Sequence, residues 1–174
     1  MPIEFDVIEK GFMETVHSHP AFVGWKKRRK RSLWQALGDV SQGVELIRHK
    51  ASFDNMQWVS LGLFVSVPYE RHWPESIDVL SDIWDKGRLY RRAYLIPGRG
   101  LTEDPTLGSG AVIKISSPED LADWLAAMPA DIEQFAAPWL QRYQTLEEAS
   151  YEYKIPRWKL EKAGLIPWRG GHEP

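Results

Sequence analysis

Five histidines and no cysteine bound the chemistry that this chain of 174 residues can offer. His17, His19, His49, His72 and His172 follow neither metal-ligand nor triad spacing, and no serine stands in a nucleophile elbow. Thiolate catalysis and a disulfide framework are excluded outright, and a reducing compartment is compatible. His17 and His19 form a His-x-His pair, but no third ligand follows at a recognisable metal spacing. Pro20 directly after them pushes His19 out of helical geometry, so the pair reads as the polar end of a helix. The glycines of Pro97–Gly110, PGRGLTEDPTLGSG, match neither the phosphate-binding loop nor the dinucleotide fingerprint, because no Lys-Ser or Lys-Thr follows and the spacing fails. The expectation is a noncatalytic protein: no catalytic, cofactor-binding or metal-ligating residue is assigned. Carboxylates brought together in space would leave no trace in sequence spacing.

Binding chemistry is better represented. Lys26–Arg31 is an unbroken run of six basic residues, whereas Ser117–Glu152 holds eight acids against the single base Arg142. The net charge is only −2, so segregation rather than excess is what could steer a charged partner. Trp25 and Trp34 flank the run as stacking surfaces, two of nine tryptophans, a residue type that serves cores and interfaces alike. Three readings of the run compete. It can guard a sheet edge against aggregation, dock an acidic protein, or neutralise phosphates of nucleic acid. Strand alternation favours the first two, because only about half of such a run can face one way unless it lies at an exposed edge. The acids of 117–152 are expected to compensate it internally. The partner-binding candidates are Trp25, Lys27, Arg29, Arg31 and Trp34, with Arg99 from the glycine-rich loop, which otherwise reads as a connector.

These residues need a scaffold, and the stretch from Gly24 to Pro68 supplies it. Gln57–Val67 places Val59, Leu61, Leu63, Val65 and Val67 at strict period two, the pattern of a half-buried strand. Its other face, Trp58, Ser60, Gly62, Phe64 and Ser66, is mixed, so a central strand is expected, covered on one face and partly on the other. Arg31–Ala36, entered directly from the basic run, and Val44–Lys50 are its antiparallel neighbours, joined through the short polar links Leu37–Gly43 and Ser52–Met56. Arg88–Ile96 and Ala111–Ile115 are further strands.

Helices complete the picture. Ile3–Val16 carries Phe5, Ile8, Phe12 and Val16 on one helical face. Ile77, Leu80 and Trp84 make a short helical stripe after the loop Pro68–Pro74. Ser117-Pro118-Glu119-Asp120 combines an N-cap, proline in the first turn and two acids, and dictates a helix start. That helix is expected to bury Leu121, Trp124, Leu125 and Met128 and to stop at Pro129. Asp131–Tyr143 is the next, burying Ile132, Phe135, Trp139 and Leu140, with Pro138 kinking or splitting it. Thr145–Glu148 is a capping box. The sum is an α+β fold: an antiparallel meander of about five strands, with an N-terminal helix and C-terminal helices packed on it. Residues 1–150 form one domain and 151–174 a short helical extension. That tail resembles the small helix-turn-helix of excisionase-like DNA binders in Leu146-Glu147-Glu148-Ala149 and Ala163-Gly164-Leu165-Ile166-Pro167, but its second helix is too short for a reading helix.

Over about residues 5–150 the chain also resembles the bacterial domain-of-unknown-function family 4304. Gly24-Trp25-Lys26-Lys27 corresponds to that family's glycine-aromatic-lysine-lysine entry into an antiparallel meander, and Pro138-Trp139-Leu140 to its late helical step. The resemblance implies an α+β domain without transferable catalytic residues, in a class suspected of immunity or accessory binding roles. A cytoplasmic protein that docks a protein partner, with an acidic one as the candidate, is the resulting expectation; nucleic-acid binding through 26–31 and the tail is the alternative. MPIEFDVIEKGF lacks the features of a secretory signal, and no apolar run approaches the ~20 residues that cross a bilayer, so no membrane partner is expected.

Overall fold

The computed structural model describes residues 3–49, 56–68, 88–103, 106–145 and 147–148. The stripe of Ile77, Leu80 and Trp84, the loop after Pro68 and the extension 151–174 lie outside them. Helix α1, Phe5–Ser18, buries Ile8, Phe12 and Val16, spaced four apart as the periodicity requires. Pro20 opens a single 3-10 turn, Pro20–Phe22, and Gly24, at φ +82°, turns the chain into the sheet. There L side chains are strained, so glycine belongs at this corner.

Among the described residues the sheet has seven strands where the sequence leads one to expect about five: β1 Lys26–Arg29, β2 Ser32–Leu37, β3 Val40–Arg48, β4 Gln57–Pro68, β5 Arg88–Ile96, β6 Gly100–Thr102 and β7 Ile113–Ile115. They pair antiparallel in the order β1 to β6, with β7 on the first residues of β4. β3 takes one edge of β4 over residues 59–66, so β5 and β7 share the other, β5 over 62–68 and β7 over 57–59. Three sequence expectations need correction. The basic run does not lead into the Arg31–Ala36 strand; it is a strand of its own, folded back on β2. The link Leu37–Gly43 shrinks to Gly38-Asp39, because Gly38 adopts φ +60° and lets Leu37 pair directly with Val40. The loop Pro97–Gly110 contains β6, since positive φ at Gly98 and Gly100 closes a tight hairpin after β5.

Helix α2, Pro118–Asp131, starts at the expected cap. Ser117 Oγ accepts from the Asp120 amide at 3.1 Å and the Asp120 carboxylate accepts from the Ser117 amide at 3.0 Å. It does not stop at Pro129. The ring forfeits one backbone bond and costs about 3 kcal/mol, but Met128, Asp131 and Ile132 around it are buried and hold the helix on course. A π turn, Ile132–Ala136, follows and leads into α3, Ala137–Gln141. The widened turn ends at Ala136, two positions before Pro138, which cannot donate to the carbonyl four residues back, so the expected kink takes the form of a π-bulge.

All three helices pack on one face of the sheet. Leu33, Val44, Leu46, Leu61, Leu63, Val65 and Leu95 meet Ile8, Phe12, Leu121, Met128, Ile132 and Leu140 in one core. Phe12 stacks on Trp124 with centroids 6.2 Å apart, and Leu125 fills the space that a side chain at Gly11 would need. The other face of β4 is buried too: the Phe64 ring lies over Gly43, and Ser60 and Ser66 are inaccessible.

Candidate functional site

The basic run stands at the outer edge of the sheet. All four residues of β1 are exposed, and no described strand pairs with its far side. Lys26 opposes Trp34 and Lys27 opposes Leu33, after which the register shifts so that Arg29 opposes Ser32. Arg28 is therefore the extra residue of a β-bulge, a device common at sheet edges.

Not every sequence candidate faces solvent here. Trp25 is buried, 8% exposed, with its ring edge-on to Phe22 at 4.9 Å, so it offers no stacking surface. Trp34 is half-buried beside Lys26. Arg31 turns toward α1, where its guanidinium lies 3.7 Å from the Glu9 carboxylate and 5.4 Å from the Phe5 ring centre; Arg48 lies at 4.6 Å from the same ring. Lys27 and Lys30 line an open groove of about 580 Å³ whose opposite wall is α1, with the acids Asp6, Glu9 and Glu14 and, among them, Lys10 and His17. Arg99 lies in the β5–β6 turn, at the opposite edge of the sheet, and does not join the group. That turn is pinned by the buried Asp131 carboxylate, which accepts from the Gly98 amide at 3.0 Å.

The acids of 117–152 were expected to meet the run, and those with visible partners are committed elsewhere. Asp120 caps α2 and accepts from the Ser116 hydroxyl at 2.6 Å; these hydrogen bonds, the hydroxyl first, lower its pKa. Asp131 holds the Gly98 turn and Glu148 accepts from Thr145. The carboxylate that reaches the run is Glu9 of α1, at Arg31, while Glu14 lies 4.0 Å from Lys10 on its own helix; so few acids on one helix do not register as a charge block in sequence.

Of the described histidines, His19 and His49 hold structural hydrogen bonds, while His17 is exposed and lines the groove. His19 Nε2 donates to the Pro129 carbonyl at 3.1 Å and Nδ1 accepts from the Ala21 amide at 3.1 Å, which ties the 3-10 turn to α2. His49 Nε2 lies 2.8 Å from Ser60 Oγ, a pair that a sequence separation of eleven does not announce. Ser60 is fully buried and donates its own proton to the Ala111 carbonyl at 2.8 Å, so His49 donates to the hydroxyl, the reverse of general-base geometry. Among the described residues no three His, Asp or Glu side chains gather as a metal site.

His49 carries a pH dependence. Burial lowers its pKa from the ordinary 6.5 because the charged ring would lose water. The unfolded chain then binds the extra proton more readily, so stability is full above about 6.5 and falls as pH drops through the lower folded-state value. Thermal unfolding at about pH 5 and pH 7.5 should show a larger loss in the wild type than in His49→Gln, which keeps a donor for Ser60 but does not titrate. Equal losses would remove His49 from the acid response.

A second, smaller groove of about 390 Å³ runs between β6 and α3, lined by Leu101, Thr102, Phe135, Pro138 and Trp139. Among the described residues no helix is long and apolar enough to cross a membrane. No protein-family model, curated protein or solved structure matches the chain.

Proposed function

We propose that the protein is a noncatalytic docking module whose basic edge strand receives an acidic protein surface. The observation that carries this reading is β1 itself: Lys26–Arg29 exposes all four cations at a sheet edge where no described strand covers them. Such a surface raises encounter rates with an acidic partner and repels basic ones. Further support comes from the histidine and serine geometry, which offers structural hydrogen bonds where catalysis would need an accessible nucleophile. An immunity or accessory role fits the resemblance to family 4304, and a cytoplasmic setting fits a chain without cysteine.

Nucleic acid is the second reading, favoured by the exposure of the whole strand. Burial of Trp25 weighs against it, because it removes one of the two aromatic platforms on which bases would stack. Comparing affinities for a glutamate-rich peptide and for DNA and RNA oligonucleotides of equal length decides between them. Tighter binding of the peptide is expected; the reverse order would put nucleic acid first.

A further inference from the structure

We infer that the bulge in β1 sorts the basic run into two sets, and that Lys26, Arg28 and Arg29, with Trp34, form the surface that receives an acidic extended segment of a partner protein. This rests on the docking reading above and narrows it to one side of the sheet.

Residues three apart in a regular strand point to opposite faces. Lys26 and Arg29 nevertheless oppose Trp34 and Ser32, which are two apart and share a face. The extra residue, Arg28, resets the alternation and brings both cations to the side away from the helices. Lys27 opposes the fully buried Leu33 and so points to the helix side. There it joins Lys30 in the groove walled by Asp6, Glu9 and Glu14, and Arg31 pairs with Glu9. This set of cations shares its side of the sheet with carboxylates of its own chain, of which Glu9 reaches Arg31.

The other set faces a different environment. In the row of Arg29 and Ser32 the next residue is Glu45, two strands in, roughly 10 Å away at strand spacing. Glu45 is half-buried and lies 3.8 Å from Arg92 on β5, so its charge is shared with that partner. Lys26 and Arg29 therefore present positive charge that α1 does not offset, Arg28 is exposed at the bulge between Lys27 and Arg29, and Trp34 supplies an apolar patch beside Lys26. An extended segment alternating carboxylates with apolar residues matches this pattern of charge and apolar surface. The bulge and the cations oppose addition of a strand to the edge, so the segment docks through side chains along the outer β1–β2 margin, short of the buried β4 face.

The test uses the full chain and a fluorescein-labelled peptide of alternating glutamate and threonine with one central leucine. Each exposed charge pair is worth a few tenths of a kcal/mol to about 1, so losing three should raise Kd by about tenfold. Lys26→Ser/Arg28→Ser/Arg29→Ser should show that loss, and Lys27→Ser/Lys30→Ser a change of less than about threefold, with both variants keeping the wild-type unfolding midpoint. Asp6→Asn/Glu9→Gln/Glu14→Gln should bind the peptide more tightly, because the second set of cations is released. Equal losses in the two serine variants, or no gain in the amide variant, would overturn the sorting while leaving the docking reading in place. A wild-type protein that ignores the peptide would overturn both, and oligonucleotide binding that depends on Lys26, Arg28 and Arg29 would assign the surface to nucleic acid.

Discussion

Leu61→Ala should destabilise the fold by about 2–5 kcal/mol, the range for removing a leucine from a packed core. Leu61 is completely inaccessible, lies in β4 opposite Leu46, and belongs to the face on which all three helices pack. Leu63, 1% exposed and between Val44 and Ala93, should behave alike. Neighbours on both sides hold β4 in place, so the site cannot collapse to fill the void. Urea unfolding of each variant, read as a shift in midpoint at constant slope, checks this. Midpoints within error of the wild type for both variants would show that the register of the central strand is wrong.

Gln42→Leu should cost about 1–3 kcal/mol, because it removes a buried donor shared by two backbone carbonyls and takes away the acceptor of Gln35. Gln42 is 1% exposed and points out of β3 at the end of α3, where its Nε2 donates to the carbonyls of Leu140 at 2.6 Å and Tyr143 at 2.9 Å. Its Oε1 accepts from Gln35 Nε2 at 2.9 Å, which fixes the orientation of the amide. A helix end leaves carbonyls short of donors; that of Leu140 also accepts from the Tyr143 amide at 3.1 Å, and the sheet supplies a further donor through Gln42. Leucine fits the volume but donates nothing. A variant as stable as the wild type would mean that water reaches those carbonyls instead. Gln35→Ala, which removes only the orienting contact, should cost less.

The two effects differ in how visible their causes are in the sequence. Leu61 announces itself through strict alternation over Gln57–Val67, and β4 lies where that pattern puts it. Ser117–Asp120 likewise names the start of α2, since a cap needs only adjacent residues. Gln42 gives no signal: its partners are 98 and 101 positions away, and a polar residue within a presumed turn reads as exposed. The same holds for the candidate surface. The run Lys26–Arg31 is obvious as charge, but its fold as a separate hairpin strand depends on pairing with β2, and a bulge of one residue leaves no mark in composition. Trp25 and Trp34 look equivalent from their spacing to the run. Tertiary packing buries the first against Phe22 and leaves the second half-open. The passage of α2 through Pro129 is hidden for a related reason, because burial on either side outweighs a local breaker.

The claim that β1 docks an acidic protein surface is tested most directly by fluorescence titration of the intact chain at about 50 and 200 mM salt. The titrants are the glutamate-rich peptide, mixed-sequence single- and double-stranded DNA, and RNA. The expected result is saturable binding of the peptide that weakens with salt and with loss of Lys26, Arg28 and Arg29, and only weak binding of any nucleic acid. Submicromolar binding of DNA or RNA at the lower salt, falling with a log–log slope of roughly −0.9 per phosphate contacted, would contradict it.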